Sequence, residues 1–230
     1  MAIIEIIADP GTRLHLGGPG LAALRECFFP GDCQSCNRPL GGRPPALSVS
    51  VLSPGHAMAR LYHPACVPPQ WNDSGLIEVA PGPGTVSRSA RCWLFPAAGA
   101  PGPVYLPALL VNPGFESVFL REGPDGWRPV LPEWFSAAGM LPGAAGSPLP
   151  GVRSAIDGGI ASVVFPASPN PYSAPAEPVT LARARELGGF LILVSQVVDP
   201  AALSPASATP VLQRAFSAGQ IISGWASLDS

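Results

Sequence analysis

Three thiols and one imidazole are spaced to share a single metal ion. Cys33 and Cys36 lie in "CQSCNRPL", residues 33–40; His63 and Cys66 lie in "LYHPACV", residues 61–67. Together they read C-x2-C-x26-H-x2-C. Zinc takes four sulfur or nitrogen donors in a tetrahedron. A C-x2-C turn presents two thiolates to one ion, and H-x2-C at the start of a helix does the same from the other side. Four protein ligands close the coordination shell, so the expected cofactor is structural Zn2+, with iron the minor alternative. The competing reading is buried cysteines beside an incidental histidine; two x2-spaced pairs flanking a hairpin weigh against it. Cys27 and His56 are spare donors, read as a buried thiol and an exposed turn residue. Cys92, in "SARCWLF", reads as a core side chain, because no motif places a base near it.

For the two pairs to meet, the chain must reverse between them. "PPALSVSVLSPGHAMARLYH", residues 44–63, alternates apolar and polar positions around Ser53-Pro54-Gly55. That pattern is a β-hairpin, which returns His63 toward Cys36.

Residues 33–71 resemble two known finger types. "LYHPACV" is similar to the H-x2-C half of LIM modules. The whole layout of C-x2-C, long hairpin and aromatic-H-x2-C resembles the poly(ADP-ribose) polymerase-type finger. The resemblance implies a zinc-binding, treble-clef-like module held by Cys33, Cys36, His63 and Cys66. Polymerase-type fingers grip DNA with basic residues; Arg38, Arg43 and Arg60 are those near the motif here.

The elements around this motif are read from local pattern. "IIEIIADPGTRLHL", residues 3–16, is two apolar arms around Asp9-Pro10-Gly11-Thr12 and predicts a hairpin. "PGLAALREC" (19–27) predicts a short helix. Strands are expected at 87–95, 104–111, 115–122, 127–131, 158–166, 190–198 and 220–228, with 190–198 central because it is wholly apolar. Helices are expected at "PEWFSAAGM" (132–140), at 178–189 with a glycine stop, and at 209–219. "AGMLPGAAGSPLPG" (138–151) is a linker or long loop. The fold class is thus α+β: an irregular Pro/Gly-rich mixed-sheet body behind an N-terminal zinc module. The expected domains are 1–75 and 76–230, the second with two subdomains split near 138–151.

Composition removes several functions. The 230 residues include 31 prolines, and only 12% are charged against 47% hydrophobic. All 13 basic residues are arginine. No lysine is present to form a Schiff base or clamp a phosphate, which excludes Walker-type nucleotide sites. A net charge of −2 with scattered arginines argues against nucleic-acid binding by bulk charge. The uncharged stretch 92–115 is too proline-rich for a membrane helix, and 188–198 is too short. The N-terminus lacks a basic region, so a cytoplasmic location is expected. The arginine-only, Gly/Pro-rich composition fits a GC-rich bacterial genome.

No other motif is specific. "GGPG" (17–20) and Asp157 in "AIDGGIAS" read as turns. Glu116, Glu122 and Glu133 have no acid/base spacing. Trp71, Trp93, Trp127, Trp134 and Trp225 stand singly and read as packing. The function expected is a non-enzymatic, zinc-stabilised protein-binding or adaptor protein, with another protein as partner. The alternatives are a nucleic-acid-associated protein using the CCHC finger, and an enzyme whose site is assembled from dispersed residues such as Asp157, Glu116 and His15.

Overall fold

The computed structural model describes residues 5–29, 31–36, 38–75, 89–97, 102, 104–130, 135, 139–142, 148–166 and 171–229. In chain order the elements are α1 (Pro10–Cys27), β1 (Ala46–Ser53), β2 (His56–Tyr62), β3 (Gln70–Asn72), β4 (Ala90–Ala97), β5 (Val104–Val111), β6 (Val118–Gly123) and β7 (Gly126–Pro129). They continue with β8 (Leu141–Pro142), β9 (Pro148–Asp157), β10 (Ile160–Val164), β11 (Tyr172–Pro175), α2 (Pro178–Leu187), β12 (Gly189–Ser195), α3 (Pro205–Ser217) and β13 (Ile221–Leu228). Strand dominates, in two separate sheets. The sheets belong to two compact units: Met1–Thr85 with Pro113–Leu131, and Val86–Asn112 with Pro132–Ser230. The contacts therefore do not divide the chain at residue 75, because β6 and β7 return to the N-terminal sheet.

In the first unit the strand order is β3-β1-β2-β6-β7. The expected hairpin is β1–β2, with Ala46 opposite Tyr62 and Val51 opposite Ala57. Gly55 takes φ 74° in its turn, a conformation that glycine adopts without penalty. Leu47, Val49, Met58 and Leu61 are buried, as are Phe119 and Leu120 on β6. The short β3 pairs in parallel with β1, a non-local match that no local pattern announces.

Of the hairpin expected at 3–16, residues 3 and 4 lie outside the described residues, and residues 5–16 correct the sequence reading. Asp9 is a helix N-cap, accepting from the Gly11 and Thr12 amides at 2.8 and 3.2 Å, and Pro10 occupies the first turn of α1. Asp-Pro-Gly-Thr satisfies a β-turn and a helix start equally, and here the Arg13 amide completes a helical turn on the Asp9 carbonyl. Gly17, at φ 60° and ψ −178°, breaks α1, and the expected helix resumes from Pro19. Gly20 sits where an added Cβ would lie 2.9 Å from the Trp127 carbonyl, so its bare backbone lets α1 close on β7.

The second unit holds an eight-stranded sheet ordered β11-β10-β9-β13-β12-β5-β4, with β8 on β13. As the apolar run predicts, β12 is central: every residue is buried, between antiparallel β13 and parallel β5. Its core joins Leu110, Leu191 and Leu193 to Leu212 and Ala215 of α3. α2 ends as expected on Gly188, in the left-handed conformation at φ 73°. Asp157 is the exposed last residue of β9, and the turn residues after it, Gly158 and Gly159, both have positive φ. The expected helix at 132–140 lies outside the described residues except at Phe135, Gly139 and Met140.

Candidate metal centre

The candidate metal centre is built on the hairpin of the first unit. Residues 31–36 and 38–40 are tied together by the Cys33 amide to the Arg38 carbonyl, 2.9 Å, and the Leu40 amide to the Gly31 carbonyl, 3.1 Å. The Gln34 amide donates to the Leu61 carbonyl at 3.1 Å, tying this loop to the end of β2. His63 comes immediately after β2. The Cys66 and Val67 amides both return to the His63 carbonyl, at 2.8 and 3.2 Å. The second ligand pair thus sits on a turn that leads into β3, which corrects the expectation of a helix start. The coarse feature of the finger resemblance, a hairpin flanked by two ligand pairs, is present.

The ligand atoms of Cys33, Cys36, His63 and Cys66 all lie within 4.8 Å of one another, and this is the group among the described residues that can hold a metal ion. His63 Nδ1 is 3.4 Å from Cys36 Sγ and 3.9 Å from Cys66 Sγ. Zinc–sulfur bonds of about 2.3 Å and zinc–nitrogen bonds of about 2.0 Å give tetrahedral edges of roughly 3.5–3.8 Å. The two sulfur–nitrogen separations lie on either side of the roughly 3.5 Å edge of such a pair, and the donor set has the number and type of ligands that zinc takes.

The surrounding groups orient the ligands. His63 Nε2 lies 2.9 Å from the Pro39 carbonyl, which fixes Nε2 as the protonated nitrogen and leaves the Nδ1 lone pair toward the sulfurs. Cys33 is fully buried, and its sulfur accepts the His63 backbone amide at 3.3 Å. Cys36 is half-buried and Cys66 exposed. Hydrogen bonds from the side chain and backbone of Arg38 hold the Cys36 thiol down at about 6. Desolvation, together with the Cys36 and Cys33 sulfurs, pushes the Cys66 thiol up to about 11. A divalent ion offsets the charge of thiolates gathered this closely.

The other sequence candidates fall elsewhere. Cys27 is half-buried outside the cluster, with burial first and then Glu26 raising its thiol to about 11. Cys92 is buried and raised by burial to about 12, as expected of a core residue. His56 lies at the hairpin tip, its Nδ1 3.3 Å from the Pro54 carbonyl. Glu116 comes just after the 3-10 turn Pro113–Phe115, its amide on the Pro113 carbonyl. One grouping was not foreseen. His15 stacks on Trp71 at 4.1 Å, and Trp71 meets Trp127 edge-on at 5.2 Å. These residues come from α1, β3 and β7, so only tertiary structure brings them together.

Comparison with protein-family models, with curated proteins and with solved structures returns no match. Among the described residues, no helix is long and apolar enough to cross a membrane.

Proposed function

We propose that this chain is a non-enzymatic protein-binding or adaptor protein whose N-terminal unit is stapled by one structural zinc ion at Cys33, Cys36, His63 and Cys66. The observation that carries the zinc half is the gathering of four Cys and His donors within 4.8 Å of one another, with His63 Nε2 hydrogen-bonded to the Pro39 carbonyl. A bound ion would draw the 31–40 loop and the 63–67 turn together and contribute folding free energy directly. A four-ligand shell leaves no open position for substrate, which supports a structural role.

The binding half draws on the surface. Leu14 on α1 is 83% exposed; in the second unit Tyr105, Val179 and Val197 are exposed as well. On a surface with so few charges, large apolar side chains favour contact with another protein. The second reading, nucleic-acid binding at the finger, draws on Arg38 beside Cys36 and on Arg60 in β2.

Elemental mass spectrometry of the purified chain, run with native mass measurement, tests the metal: one zinc per chain is expected. The partner is tested by cross-linking in the native cell, with and without nuclease. A protein partner that survives nuclease and is lost from Leu14→Glu or Tyr105→Glu supports the adaptor reading. Salt-dependent nucleic-acid binding that is lost in Arg38→Ala and Arg60→Ala replaces it with the second.

A further inference from the structure

We infer that the cluster is also a peroxide-sensitive release site, in which Cys36 and Cys66 are oxidised to a disulfide and the bound ion leaves. This inference rests on the zinc reading above and concerns the regulation of the same site.

The three thiols are not equivalent. Cys33 is fully enclosed, and its sulfur is engaged by the His63 amide at 3.3 Å. Cys66 is exposed and Cys36 half-buried, so an oxidant arriving from solvent meets those two. Both face His63 Nδ1, at 3.4 and 3.9 Å, and their sulfurs lie within 4.8 Å of each other. A disulfide requires about 2.05 Å, so closure calls for a sulfur shift of less than about 3 Å. Both residues lie in turns outside the β-ladders, where side-chain rotation and small loop movements can supply it. Cys27 and Cys92 are outside the cluster and take no part.

The chemistry balances with hydrogen peroxide as oxidant. The Cys36 sulfur takes one peroxide oxygen as the O–O bond breaks, giving a sulfenic acid, and the other oxygen leaves as water after protonation. The Cys66 sulfur then attacks the Cys36 sulfur and expels the second oxygen, also as water. Two thiolates, one peroxide and two protons become one disulfide and two waters; the sulfurs lose two electrons and the peroxide gains them. Cys33 and His63 remain, two donors where structural zinc needs four, and the cation dissociates. A dithiol reverses the step by exchange.

The test uses the full chain with Cys27→Ser and Cys92→Ser, so that only the cluster thiols remain. Zinc is first quantified in the reduced protein. Hydrogen peroxide is then titrated while a chromogenic chelator reports free zinc. Arginine-specific cleavage after Arg25, Arg60 and Arg88 puts Cys33 and Cys36 on one peptide and Cys66 on another, and fragmentation identifies the linked pair. Loss of one zinc per chain with one Cys36–Cys66 bridge, both reversed by dithiothreitol and added zinc, is the expected result. Zinc retained under excess peroxide overturns the release reading alone. So does release accompanied by a bridge to Cys33, or by sulfinic acid without a bridge. A reduced protein that holds no zinc at the outset overturns the zinc reading itself, and this one with it.

Discussion

Replacing Cys33 with serine should unfold the first unit. Its sulfur is fully buried and receives the His63 amide, so the substitution removes the innermost ligand and weakens the link between the 31–40 loop and the His63 turn. Structural zinc contributes roughly 10–16 kcal/mol at pH 7 in small fingers. A whole domain is stable by only about 5–15 kcal/mol. Even if serine and the remaining ligands kept half of the metal's contribution, the loss would be about 5–8 kcal/mol, comparable to everything the unit has. Hydrogen exchange is the assay that reads this locally. Amides of the β1–β2 ladder, Leu47 to Leu61, should lose protection in Cys33→Ser or after chelation, while amides of β12 and β5 keep theirs. Wild-type protection of the β1–β2 ladder in a metal-free Cys33→Ser chain would refute the argument, because the apolar core would then hold the sheet without the ion.

Three further outcomes are expected. Arg38→Gln removes the side-chain hydrogen bond that, ahead of the Arg38 backbone, holds the Cys36 thiol down at about 6, so protons compete better with the metal. Zinc affinity should fall about ten-fold or more, and the pH of half-release in an acid titration should rise; an unchanged or lower half-release pH would contradict this. Asn112→Ala leaves the Val198 carbonyl without the buried amide that donates to it at 2.9 Å, and should cost about 1–3 kcal/mol in denaturant unfolding. Gly189→Ala places a Cβ 2.3 Å from the Ala226 carbonyl and 2.6 Å from Trp225 Nε1, and should destabilise the second unit by more than about 3 kcal/mol or block its folding, read as loss of the Trp225 fluorescence environment.

Local chemistry was legible in the sequence, and long-range pairing was not. The donors of the cluster declare themselves because few roles other than metal binding call for Cys and His at x2 spacing. The β1–β2 hairpin can be read from alternation about Ser53-Pro54-Gly55, β12 from its unbroken apolar run, and the end of α2 from Gly188. Asp9-Pro10 misled because one set of local hydrogen bonds opens either a turn or a helix, and the choice is made by the conformation of Arg13 and the residues after it. The parallel pairings of β3 with β1, β5 with β12 and β9 with β13 join segments far apart in sequence, and periodicity carries no information about them. The stack of His15, Trp71 and Trp127 was missed for the same reason: single aromatics look like packing until three elements converge.

The order of the chain also sets a timetable for synthesis. The four ligands are complete once Cys66 has been made, but the first sheet needs β6 and β7, which end at Pro129. At about 5–20 residues per second, the ribosome takes roughly 3–13 seconds to add the intervening chain. During that interval the nascent β1–β2 hairpin has an unpaired edge where β6 will add, and β5 emerges before its partner β12 exists. An ion captured at Cys66 would hold the knuckle and hairpin together through this exposed period. Zinc supply at the moment of translation, and not only afterwards, would then decide how much of the newborn chain escapes aggregation.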